Sequence, residues 1–140
     1  MPKWFIRALV LLLIPFVLIL FSFGITLGIV GVALVLRLGP AAEWFIWPIP
    51  AMISPFAGVF YPLATLPAPM RAIGYTLPPS YVFEGMRTVV RGDPLPAATL
   101  LTAFVLSLVY LLLACAFFAY VHRRAVRTGL LARYSAENVV

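Results

Sequence analysis

The chain alternates between long uncharged stretches and short segments that carry its charges. Three stretches stand out by length: 8–36 with 29 residues, 44–70 with 27 and 94–121 with 28. A helix needs roughly 20 mostly apolar residues to cross the hydrocarbon core of a bilayer. The pattern therefore predicts three transmembrane helices, near 8–36, 44–63 and 98–121.

The connection between the second and third predicted spans is too short to cross a bilayer. Residues 72–83 are uncharged for only 12 residues and contain two adjacent prolines. Apolar stretches of about 10–14 residues are typical of interfacial or re-entrant segments. We therefore expect 64–96 to form a re-entrant or interfacial helical hairpin. The predicted fold is an all-α membrane protein with a single domain over 1–140, ending in a tail at 122–140.

The composition supports a membrane protein and excludes several kinds of chemistry. Hydrophobic residues make up 64% of the chain and charged residues 10%, against roughly 25% charged in an average soluble chain. One histidine and one cysteine cannot supply the four ligands of a structural zinc site. A G-x-x-x-x-G-K-[ST] nucleotide loop does not occur in the sequence. We expect no metal and no cofactor.

The net charge of +6 raises the question of nucleic acid as a partner. The basic residues lie at the ends of apolar stretches and form no stripe or basic helix face, so the pattern argues against nucleic-acid binding. With three spans, five basic residues fall on each side of the membrane, and the positive-inside rule gives a tie. The dense basic cluster at 123–127 follows the last span directly and favours a cytoplasmic C-terminus.

The first predicted span contains glycines at helical spacing, namely Gly24, Gly28 and Gly31. Glycines four residues apart let helix backbones approach closely in lipid. We interpret them as a helix-packing face, within the chain or between protomers. The alternative is that glycine is simply frequent in membrane helices.

The second predicted span is rich in proline, with Pro48, Pro50, Pro55 and Pro62. Proline removes a backbone donor and breaks or bends a helix. Broken helices line the transport pathways of many membrane proteins, although a distorted and inert span is an equal alternative.

Residues 80–91 carry the most informative local pattern. As a helix, this segment places Ser80, Glu84, Arg87 and Arg91 on one polar stripe opposite an apolar face. Glu84 and Arg87 are spaced i, i+3 and can form an ion pair. The pattern suits an ordinary interfacial helix with a solvated charged face, or a gate that faces a substrate.

Three sequence blocks resemble the C-terminal signature of ABC-2 type permeases, the membrane subunits of type 2 ABC exporters. These blocks are GVFYP at 58–62, LP at 66–67 and LPPSYVFEGMR at 77–87. The segment LRLG at 36–39 resembles the family's short cytoplasmic turn between its fourth and fifth spans. The resemblance covers roughly 20–122, and the block 58–87 is its specific part.

The resemblance implies an architecture and a set of site residues. The three predicted spans would be spans four to six of the family, with the C-terminus cytoplasmic and the protein in a bacterial inner membrane. The residues implied at the outer gate or translocation path are Phe60, Tyr61, Pro62, Glu84 and Arg87. Arg37 and Glu43 would contact a separate ATP-binding cassette ATPase. The implied partners are that ATPase, a second permease protomer or the family's N-terminal half, and the lipid bilayer.

We therefore expect the C-terminal half of a permease of an ATP-driven exporter that moves a drug, lipid or glycoconjugate. The chain itself is predicted not to be an enzyme. The alternative is a non-transporting scaffold or assembly subunit that binds other spans through its glycine-rich first helix. A lipid-modifying enzyme is disfavoured because a predicted span separates His122 from Glu84 and Asp93, the other candidate acids and bases.

Overall fold

The computed structural model describes residues 3–94 and 97–128, with side chains from residue 13 onward apart from Pro40. Every regular element in these ranges is helical. The two long helices are α1 (Lys3–Leu38) and α6 (Ala97–Arg127). Four shorter helices lie between them: α2 (Glu43–Ile46), α3 (Pro48–Ile53), α4 (Ala68–Thr76) and α5 (Pro78–Val90). Single 3-10 turns occur at Pro40–Ala42 and Leu63–Thr65.

The first and third predicted spans coincide with the long helices. Leu13–Leu38 of α1, with 26 residues, and α6, with 31, are long and apolar enough to cross a membrane. Only 22% and 17% of their most apolar windows are buried inside the protein. A core helix of a soluble protein would bury most of this surface, so the exposed apolar faces suggest membrane association.

Helices α1 and α6 run parallel and in contact along their length. Near their N-terminal ends, Phe16 and Ile19 of α1 pack in one cluster with Ala103 of α6. Further along, the rings of Phe23 and Tyr110 meet edge to face with centroids 5.9 Å apart. The C-terminal ends also lie together, because residues 36 and 37 line a common cavity with residues 120, 121, 124, 125 and 128.

Small side chains on α6 make this close contact possible. The residues that α6 buries are Ala103, Ser107, Ala114, Val121 and Ala125. They recur at helical spacings and form one narrow face. Small residues at a helix interface let two backbones approach closely where lipid supplies no hydrophobic driving force.

The second predicted span, 44–63, is not confirmed as a continuous helix. Helices α2 and α3 together cover Glu43–Ile53, about 16 Å at 1.5 Å per residue, against a hydrocarbon core of roughly 30 Å. The reason is the proline content, since a proline cannot donate the backbone hydrogen bond that continues a helix. Helix α3 ends at Ile53 with Ser54 as its cap, and the chain then turns through 54–62, with Gly58 at a φ of +69°.

The predicted hairpin at 64–96 contains α4 and α5, joined at Leu77, whose backbone is extended. Helix α5 packs against both long helices, and its fully buried Val82 belongs to the cluster of Phe16 and Ala103. The re-entrant position of this hairpin in a bilayer stays a prediction. Of the predicted tail, residues 129–140 lie outside the described residues.

Candidate functional site

Three of the four residues of the predicted polar stripe lie on α5 and face the turn at 54–62, whereas Arg91 directly follows the helix and is exposed. Pro78 and Pro79 begin α5, which suits the fixed φ of proline to a first helical turn. Ser80, Glu84 and Arg87 then follow at i, i+4 and i+7 on one face. We call these three side chains the α5 clamp, because each contacts the backbone of residues 56–63.

Ser80 anchors the start of the turn. Its side chain is fully buried, and its Oγ donates a hydrogen bond to the carbonyl oxygen of Phe56 at 3.3 Å. A buried hydroxyl without a partner costs free energy, so this bond stabilises the buried position of Ser80 as well as the turn.

Glu84 and Arg87 hold the end and the middle of the turn. The Glu84 Oε1 accepts a hydrogen bond from the backbone N–H of Leu63 at 2.8 Å and another from Arg87 Nη1 at 3.2 Å. Arg87 Nη2 donates to the carbonyl oxygens of Gly58 and, at 3.4 Å, of Val59. The predicted ion pair is therefore present, and its two side chains also satisfy three backbone groups of the turn.

The close approach of α4 completes the site. A Cβ at Gly74 would lie 2.6 Å from Leu63 Cδ2 and 2.8 Å from the carbonyl oxygen of Phe56. Only glycine fits there, so α4 presses on the same turn that the α5 clamp holds. Gly74 is not among the residues predicted from the sequence, because a single glycine within a short helix carries no signal that it packs against a turn.

The predicted gate residues have two different environments. The side chains of Arg87 and Glu84 are 22% and 36% exposed and contact the turn. Phe60 and Tyr61, at the tip of the turn, are 76% and 37% exposed. Pro62 precedes the 3-10 turn, and its carbonyl oxygen accepts a hydrogen bond from Thr65. The charged pair thus supports the turn, whereas the two aromatic rings are displayed by it.

The predicted packing glycines also lie in two different environments. A Cβ at Gly31 would lie 3.2 Å from Ile46 Cγ2, so Gly31 lets the segment after α1 pack closely on that helix. A Cβ at Gly24 or Gly28 would meet nothing within 4 Å. These two glycines therefore form an open strip on α1.

Arg37 and Glu43 flank the turn after α1, and both are exposed. The only ion pair among the described residues is that of Glu84 and Arg87, so these two side chains are not paired with each other. Their exposure leaves both accessible to another protein.

Within residues 3–94 and 97–128, no group of three His, Cys, Asp or Glu side chains is arranged to hold a metal ion. Comparisons of the chain with protein-family models, with curated proteins and with solved structures found no match. The chain's own geometry combines a parallel helix pair, a broken segment between the two helices and a clamped turn that presents two aromatic rings.

Proposed function

We propose that the chain is the C-terminal half of an ABC-2 type permease, the membrane part of an ATP-driven exporter. The single observation that carries the proposal is the parallel arrangement of α1 and α6. Two helices that cross a bilayer in the same direction require the chain between them to cross back. The segment between α1 and α6 then provides a third crossing.

This third crossing has the form of a broken helix. Helices α2 and α3 enter the membrane beside α1. The turn at 54–62 follows them, and α4 and α5 lie on the opposite side of the membrane. Unwound backbone at membrane depth is tolerated only where protein or a wet cavity satisfies its polar groups. The α5 clamp supplies such partners for Gly58, Val59 and Leu63, and interrupted helices of this kind line the pathways of known transporters.

The clamped turn is suited to an outer gate. Phe60 and Tyr61 offer aromatic surface to a drug, a lipid or a glycoconjugate, and Pro62 stiffens the backbone that carries them. Glu84 and Arg87 affect the gate indirectly, because they hold this turn in position. The path itself forms between two permease protomers, or between this chain and an N-terminal half.

The energy source is a separate subunit. An ATP-binding cassette ATPase hydrolyses ATP, and the exposed turn with Arg37 and Glu43 is the contact with it. The C-terminus lies in the cytoplasm and the membrane is the inner membrane of a bacterium. The chain performs no covalent chemistry of its own.

A second candidate function is a non-transporting scaffold or assembly subunit. The open strip at Gly24 and Gly28 favours it, because small residues on an exposed membrane helix suit binding of another helix. In this case the partner is a membrane protein, and no ATPase is required.

The test begins with the DNA on both sides of the coding region and continues with the encoded proteins. The exporter proposal expects three further spans encoded upstream and a neighbouring ATPase that copurifies with the complete permease. In vesicles containing this complex, Glu84→Ala should reduce ATP-dependent export more than the matched Glu137→Ala. Equal export by the two variants contradicts the gate assignment, and copurification with a membrane partner but without an ATPase favours the scaffold.

A further inference from the structure

The C-terminal ends of α1 and α6 form a basic cavity that neither the gate nor the aromatic turn uses. Its volume is about 390 Å³. Leu36 and Arg37 line it from α1, and residues 120, 121, 124, 125 and 128 line it from the end of α6 and the turn after it. It lies at the opposite end of the helix pair from the cluster of Phe16 and Ala103.

The cavity has an apolar floor and a polar mouth. Val121 and Ala125 are 3% and 2% exposed and form the floor with Leu36. Arg37, Arg124 and Tyr120 are exposed and surround the mouth. This division fits a molecule with a polar head and an apolar body.

The polar groups at the mouth are donors suited to an anion. Arg124 Nη1 donates to the Tyr120 hydroxyl at 3.0 Å, which leaves the proton of that hydroxyl and the other N–H groups of the guanidinium for a ligand. The planar guanidinium fork matches the oxygens of a phosphate group. The Thr128 hydroxyl donates to the carbonyl oxygen of Arg124 and so supports the helix end.

Charge complementarity points to an anionic occupant. The described residues that line the cavity include two arginines and no carboxylate. Glu43 lines a neighbouring cavity and forms no ion pair with Arg37. Two positive charges at one mouth repel each other, and an anion between them relieves that repulsion.

The position of the cavity selects a lipid among the anions. Trp44 and Trp47 follow α1 directly and are 82% and 77% exposed, as expected of aromatic anchors at a membrane surface. Basic pockets between membrane helices at the cytoplasmic surface are suited to anionic headgroups. We propose that Arg37, Arg124 and Tyr120 bind the phosphate headgroup of an anionic phospholipid, with an acyl chain directed over the floor of the cavity. This site requires membrane association, and it does not depend on the exporter proposal.

The test measures binding of phosphatidylglycerol and of phosphatidylcholine to the full chain in detergent by native mass spectrometry. Wild type should prefer phosphatidylglycerol. Loss of each arginine should weaken that binding about fivefold, so R37Q/R124Q should abolish most of the preference and leave phosphatidylcholine binding unchanged. Tyr120→Phe, which removes only a hydroxyl and preserves the ring, should reduce the preference to a smaller extent.

The matched control is R123Q/R127Q. It removes the same number of charges from the same end of the helix pair, both of them from α6, but neither arginine lines the cavity. The preference for phosphatidylglycerol should therefore persist. Equal loss in both double variants overturns the site, since it indicates diffuse surface charge. If inorganic phosphate stabilises the chain as much as phosphatidylglycerol does, the lipid assignment is overturned. The arginines could instead only stabilise the helix ends, because the C-terminus of a helix carries partial negative charge. In that case R37Q/R124Q lowers the thermal stability but leaves the lipid preference unchanged, and this outcome also overturns the site.

Discussion

The carboxylate of Glu84 accepts a hydrogen bond from the backbone N–H of Leu63, 21 positions earlier in the chain, at 2.8 Å. Leu63 is buried, so this N–H has little access to water. The same oxygen of Glu84 also contacts Arg87, and Arg87 contacts the carbonyl oxygens of the turn. Through Arg87, one acidic side chain therefore links the end of the clamped turn to its middle.

Glu84→Ala should destabilise the protein. The substitution leaves the Leu63 N–H without its acceptor and Arg87 without its counter-ion, and a buried group left unsatisfied costs about 1–3 kcal/mol. Glu84→Gln should cost less, because the amide oxygen still accepts from Leu63. Thermal unfolding of the full chain in detergent measures both, with the exposed Asp93→Asn as the control. A stability of Glu84→Ala equal to that of Asp93→Asn would show that the clamp does not hold the turn.

Gly74→Ala should lower the free energy of unfolding by about 1–3 kcal/mol, the usual cost of overpacking. The added methyl group meets the backbone carbonyl of Phe56, which cannot move aside as a flexible side chain can. The control is Gly28→Ala, where a Cβ meets nothing within 4 Å and alanine favours the helix. Chemical denaturation in mixed micelles compares the two, and the order of stability should be Gly28→Ala above Gly74→Ala. The reverse order contradicts the packing of α4 on the turn.

Gly24→Leu with Gly28→Leu should weaken association of the chain with another membrane helix while its own fold persists. The open strip offers close backbone approach only while both side chains are absent. Cross-linking in native membranes, followed by gel electrophoresis, reports the cross-linked partners. The comparison variant is Val32→Leu, which also places a leucine on an exposed position of α1 and should leave association unchanged. Identical cross-linking in the glycine variants rules out this strip as the contact.

The proposed third crossing predicts from which side of the membrane three positions are accessible. In a Cys115→Ser background, single cysteines at Ala41 and Thr128 should react with a membrane-impermeant maleimide from one side, and a cysteine at Asp93 from the other. The parallel arrangement of α1 and α6 is the reason, since their C-terminal ends share one cavity. Ala41, Asp93 and Thr128 are exposed, so each can react. Labelling of Ala41 and Asp93 from the same side would show that the segment between them does not cross.

The long helices were predictable from the sequence because hydropathy is a local property. An uncharged stretch of 29 residues needs no knowledge of its neighbours to favour a helix of membrane length. The same holds for the polar stripe of α5, since Ser80, Glu84 and Arg87 follow the helical period whatever they contact. The prolines of the second predicted span were also visible as breaks, although not where the helix would end.

Only the tertiary structure decided which of these elements contact one another and through which residues. The clamp joins residues 21 to 29 positions apart, and periodicity does not report which carbonyl oxygen a guanidinium will meet. The resemblance implied Phe60, Tyr61, Pro62, Glu84 and Arg87 at one gate, and this stays a prediction. Only the fold shows that Glu84 and Arg87 contact the backbone of the turn while Phe60 and Tyr61 are exposed on it. The parallel contact of α1 with α6 depends on small residues of one helix meeting large residues of the other, a match between faces that neither sequence segment contains by itself.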